Sequence, residues 1–244
     1  MNIQLKVNGT DHQIHALPGD TLLSTLRKLG YHSIKFGDEH GLSGSDTVLL
    51  DGKPVNAGMM LTAQAEGHEI ATLEALGEHP EQGWRKTGGL HPLQQAFIET
   101  GAIQSGYCTP AQIMAAYALL EENQNPSESE VREALSGILD RETGYVKPVQ
   151  AVLRAAAVMR GEAVDPINGN GVWLETKPAP EDDAPVLDGG PLTQTQVSPK
   201  VVLTEKKSPY ATVGKSKPKV DSVKLAQGKS AFVADIEMRG MLHA

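Results

Sequence analysis

Polar and apolar positions alternate over residues 2–7 (NIQLKV), which predicts a half-buried strand. Asn8–Gly9 then signals a tight hairpin, so a second strand is expected over about 12–16. Leu22, Leu23 and Leu26 repeat at helical spacing, and Leu29 closes the stripe. Asp20 is placed to cap that helix and Gly30 to end it. The apolar run TVLLDG reads as a strand entering a turn at Asp51–Gly52. Residues 57–66 fit a short helix, and Glu69 to Leu73 a last strand.

From His91 the period becomes helical. Residues 92–100 begin with proline at a first-turn position and stop at Gly101. Residues 110–122 form a second amphipathic stretch. Ser127 and Glu130 make a capping box before VREALSG, and residues 145–159 give a fourth, Ala-rich helix. The pattern predicts an α+β fold: a small sheet with one helix, then a compact four-helix bundle. The expected segments are 1–76, a linker at 77–90 that includes Trp84, the bundle at 91–162, an extended proline- and glycine-rich linker at 163–212, and a last segment at 213–244.

Composition narrows the classes. Aromatics make up 4% of the 244 residues, so the core rests on aliphatic side chains and alanine. No stretch of eighteen apolar residues exists, and the N-terminus lacks a signal pattern, so no membrane span and a cytoplasmic location are expected. The formal net charge is −8, yet from Lys200 onward nine Lys/Arg face four Asp/Glu. A basic tail suits either nucleic acid or an acidic protein surface. The lysines are not interleaved with aromatics, which favours the protein surface and no nucleic acid.

One cysteine excludes an internal disulfide. The stretch 35–58 nevertheless has the outline of a metal-cluster loop. Asp38, Ser43 and Asp46 are separated by four and then two residues, the spacing of a plant-type [2Fe–2S] loop, and Gly58 holds the distant fourth position.

The motifs LKVNG, KFG, TVLLDGKPVNAG, HPLQQAFIETGAIQSGYCTP, NPSESEVREALSG and TGYVKPVQAV occur in this order from Asn2 to roughly Arg160. In them the chain resembles the small iron–sulfur subunit of the xanthine dehydrogenase family of molybdenum hydroxylases. The resemblance implies a ferredoxin-like β-grasp domain followed by a four-helix [2Fe–2S]-type domain. It implies a molybdenum-binding catalytic subunit as partner, with a flavin subunit as a further one. Family members carry two [2Fe–2S] clusters and keep molybdopterin in the partner chain. Residues 213–244 resemble the first residues of that molybdenum-binding subunit, and AFVADI and GMLHA are expected to be strands completed by another chain, unless the sequence is a fragment of a longer one.

The departure from the family is the donor set. Beside Asp38, Ser43, Asp46 and Gly58, the resemblance implies a second ligand set in the helical part, a C-x2-C pair at Ser105 and Cys108 and a C-x-C pair at Asp140 and Glu142, so eight positions carry a single thiol. Clusters are held by soft thiolates, whereas serine and carboxylates are hard donors. The expectation is therefore no cofactor in this chain. A hard cation or zinc at Asp38, His40 and Asp46, or at Cys108, Asp140 and Glu142, is the chemical alternative, as are plain solvated loops. Cys108 precedes a helix whose dipole should lower its pKa. Gln104 is the one residue to which the resemblance gives a cofactor contact, to the partner's pterin; the alternative is a glutamine bonded to nearby backbone. The functional expectation is a structural or docking subunit without its own active site. An electron-transfer subunit and a stand-alone binding module are the rivals.

Overall fold

The computed structural model describes residues 1–38, 40–77, 89–165, 219–229, 232–236 and 241. Among these residues five short strands form one mixed sheet: β1 Asn2–Val7, β2 Thr10–His15, β3 Thr47–Leu50, β4 Lys53–Asn56 and β5 Glu69–Ala71. Their order across the sheet is β2-β1-β5-β3-β4. Two hairpins set the register. Asn8 and Gly9 take positive φ (51° and 75°), as do Asp51 and Gly52 (49° and 81°). Such turns match the strand twist and align Val7 with Thr10 and Leu50 with Lys53. β5 closes the sheet between the hairpins, parallel to β1 and antiparallel to β3.

Helix α1 (Leu22–Lys28) covers one face of the sheet. Its Leu22 and Leu26 pack with Ile3, Leu5, Val48 and Ile70 into one core. The cap is Thr21, whose side chain accepts from Ser24 N, rather than Asp20. Asp20 instead accepts from Leu17 N in the preceding turn. The expected helix over 57–66 is two 3-10 turns, Ala57–Met59 and Thr62–Ala65.

Four further helices follow: α2 Pro92–Thr100, α3 Thr109–Glu122, α4 Glu128–Leu135 and α5 Val146–Met159. The capping box at Ser127 and Glu130 is formed, and His91 caps α2 through Nδ1. These helices enclose a second core around Phe97, Ile113, Met114, Leu120 and Val152. β3 belongs to both cores, with Val48 in the first and Leu49 in the second. That explains why TVLL is continuously apolar instead of alternating.

A last short helix, α6 (Ser222–Ala226), returns to α2 and α3. The strand expected from AFVADI is instead a 3-10 turn at Val233–Asp235, and of GMLHA only Met241 is described. Most of the two expected linkers, 78–88 and 166–212, lies outside the described residues. Among the described residues no helix is long and apolar enough to cross a membrane.

Candidate functional site

The loop between α1 and β3 is closed by its own side chains. The Asp38 carboxylate accepts from the backbone N–H of His40 (2.6 Å), Leu42 (3.1 Å) and Ser43 (2.6 Å). The Leu42 and Ser43 amides hold this carboxyl far below the usual carboxylate range. Ser43 Oγ lies 3.0 Å from Ser45 Oγ. A Cβ on Gly37 would overlap Ser43 Oγ, so the two sides of the loop are in direct contact. Asp46 is 4% exposed, and its Oδ2 accepts from Gly58 N at 2.5 Å. Burial raises the Asp46 pKa even though the Gly58 amide opposes the shift. Asp38 is thus brought to Ser43, and Asp46 to Gly58. His40 joins no cluster of ligand atoms among the described residues.

The other four positions meet between α3 and α5. Cys108 directly precedes α3 and is 1% exposed. Its thiol points at Glu142 Oε2, with Sγ 3.6 Å away. Glu142 Oε1 accepts from Ser105 N at 2.6 Å, and Asp140 Oδ1 accepts from Glu142 N at 2.8 Å. Ligand atoms of Cys108, Asp140 and Glu142 lie within 4.8 Å of one another, the one such group among the described residues. The Cys108 pKa moves up, not down as a helix N-terminus alone predicts. Burial is the main cause, and the Glu142 and Asp140 carboxylates add to it. Gln112, one turn into α3, donates to Thr143 Oγ1 at 2.8 Å and ties the helix to the Asp140–Glu142 turn. Gln104 is exposed, and its carbonyl accepts from Lys219 Nζ at 2.7 Å.

The two loops touch. Leu139 N donates to Ser43 O at 2.9 Å, and Tyr107 Oη donates to Phe36 O at 2.5 Å. Gly44 (φ 63°) lies against Gly137, where a Cβ would stand 2.2 Å from the Gly137 carbonyl oxygen. Around this junction Phe36, Leu42, Leu139, Tyr145 and Val146 are exposed. The sequence pointed to Asp38, Ser43, Asp46 and Gly58 by spacing and to Ser105, Cys108, Asp140 and Glu142 by the family resemblance. It missed the junction, because Ser43 and Leu139 are far apart in the chain.

Residues 72–153 match the [2Fe-2S] binding domain family. The chain is 41% identical over 157 residues to the nicotinate dehydrogenase small FeS subunit of Eubacterium barkeri, covering 64% of this chain and 94% of that protein. It is 41% identical over 155 residues to the xanthine dehydrogenase iron-sulfur-binding subunit of Escherichia coli O157:H7, covering 63% of this chain and 92% of that one. The aldehyde oxidoreductase structure from Desulfovibrio desulfuricans ATCC 27774 superposes with a TM-score of 0.66 at 31% identity. That match covers 96% of this chain and 22% of the oxidoreductase, so this chain spans about a fifth of its length.

These matches overturn the expectation of no cofactor, because a [2Fe-2S] binding domain and iron–sulfur relatives point to a [2Fe–2S] cluster. The donors between α3 and α5 are one thiol, one hydroxyl and two carboxylates. Burial and the neighbouring carboxylates of Glu142 and Asp140 disfavour the Cys108 thiolate. This set does not fit ligation of a cluster by four thiolates from this chain.

Proposed function

Since this chain belongs to the small iron–sulfur subunit family of xanthine and nicotinate dehydrogenase-like molybdenum hydroxylases, we propose that it serves as the docking subunit or docking part of such an oxidoreductase, in the cytoplasm. The observation that carries this reading is the exposed apolar set at the loop junction: Phe36, Leu42, Leu139, Tyr145 and Val146. Two loops that bond to each other through Ser43 and Leu139 hold these side chains on a fixed base. Apolar side chains presented on a fixed base suit a protein interface.

In this reading residues 1–76 are a ferredoxin-like β-grasp domain and 91–162 a four-helix domain. Residues 213–244 correspond to the start of the molybdenum-binding part. A molybdenum-binding chain is the main partner and a flavin chain a further one. Exposed Gln104 contacts the partner's molybdopterin. The test is affinity purification of the tagged full chain from its host, with molybdenum analysis of what comes with it. A large molybdenum-containing chain should co-purify, and Leu42→Asp with Leu139→Asp should lower its recovery about tenfold or more. A stable monomer without a partner overturns the reading in favour of a stand-alone binding module.

The match to a [2Fe-2S] binding domain favours a second reading, electron transfer through a bound cluster. Iron and acid-labile sulfide in the purified complex, with visible absorption bleached by reductant, would support it.

A further inference from the structure

Residues 219–229 and 232–236 return to the body of the chain and pack against the helical core and the Arg27–Lys35 stretch. Leu225 and Ala226 of α6 are buried among the helices. Buried Gln94 donates through Nε2 to Ala226 O at 3.0 Å. A Cβ on Gly106 would stand 2.7 Å from Leu225 Cδ1, so the anchor lies flush on bare backbone. Farther on, the Phe232 ring meets Tyr107 edge-on at 5.1 Å, with Lys35 Nζ 5.0 Å from the Phe232 ring centre.

The Asp235 carboxylate is fully buried and takes Lys35 Nζ at 2.7 Å and Arg27 at 3.2 Å. Arg27 also donates to the carbonyls of Ile34 (2.7 Å) and Ala234 (2.6 Å). The charges divide unevenly. Both cations belong to the body, and the carboxylate that meets them belongs to the returning segment. Lys35 is 1% exposed, and an ammonium buried so deeply needs an anion beside it. Without Asp235 its one remaining hydrogen-bond partner shown is the His32 carbonyl.

The relatives divide in the same way. The 157 residues matched to the nicotinate dehydrogenase small subunit are too few to span both Arg27 and Asp235. The match to the much longer aldehyde oxidoreductase covers 96% of this chain.

We propose that the cleft bounded by Arg27, Lys35, Gln94 and Tyr107 is a peptide-recognition groove whose ligand is this chain's own residues 219–229 and 232–236. It reads an aliphatic anchor at Leu225 and an aromatic–acidic pair at Phe232 and Asp235, and it holds them without help from the covalent path to the body. The recognition chemistry is an apolar pocket followed by a two-cation receptor for one carboxylate. It does not depend on the docking partner proposed above.

The test introduces a specific protease site between Asp165 and Lys219 of the full chain, cuts it, and follows the released C-terminal fragment by size exclusion and native mass spectrometry. The fragment should stay with the body. Asp235→Asn should weaken retention on the order of a hundredfold, because it leaves Lys35 and Arg27 facing a neutral group. Phe232→Ala should weaken it about tenfold. Both changes lie on the fragment, so the body is the same in every sample. A parent fragment that elutes apart, or variants that bind as tightly as the parent, overturns the proposal. So does retention seen only in a species of doubled mass, which would mean exchange between two copies.

Discussion

Asp46 shows how one side chain stands where the family pattern expects a ligand. Its carboxylate bridges to the Gly58 amide across the loop while losing solvent. The folded pKa is therefore raised, so the folded chain binds a proton more readily than the unfolded one. Any stability this gives is present below the ordinary Asp value of about 3.9 and is lost as pH rises through the higher folded value. Asp46→Asn keeps an acceptor for Gly58 and removes the buried charge. It should raise the thermal midpoint at pH 7, with the gain shrinking toward zero below about pH 4 in parallel melts. A parent that is more stable than the variant at pH 7 would contradict this. Spacing in the sequence picked out Asp46 and Gly58 as two positions of one loop, but not their contact. It could not give the sign of the pKa shift, which depends on burial, and the same blindness reversed the expectation for Cys108.

At the scale of elements, local signals were reliable where the chemistry is local. Asn8–Gly9, Asp51–Gly52, Gly101 and the Ser127–Glu130 box each do what their residue types dictate. The readings that failed had competing local solutions or distant partners. Thr21 displaced Asp20 as a cap because Asp20 is engaged by Leu17 N. AFVADI has strand-forming residues, yet its Asp235 is drawn to Lys35, two hundred positions away, and the backbone turns there. β3 is an element on which the packing turns, since it places fully buried side chains in both cores. Leu49→Ala should cost about 2–5 kcal/mol of unfolding free energy, measured by denaturant titration. A loss near that of an exposed site would mean that the second core does not depend on the sheet.

At the scale of the whole molecule, the frame of a cluster protein is intact around an altered donor set. Ser105, Cys108, Asp140 and Glu142 converge between α3 and α5, as the family resemblance implied. Ser105→Cys, Asp140→Cys and Glu142→Cys in one chain would supply three more thiols beside Cys108. Iron bound after reconstitution should rise above the parent's, toward about two irons at this site, with visible charge-transfer bands. An unchanged iron content would show that the frame, and not only its donors, has diverged. The contact of Gly44 with Gly137 bears on how the halves of the protein share their fate. A single methyl at Gly44 would act as a shim in the seam between sheet and helices, because the opposing atom is a backbone carbonyl that cannot swing aside. Gly44→Ala should therefore split one calorimetric melting peak into two, leaving each half folded while their cooperativity is lost.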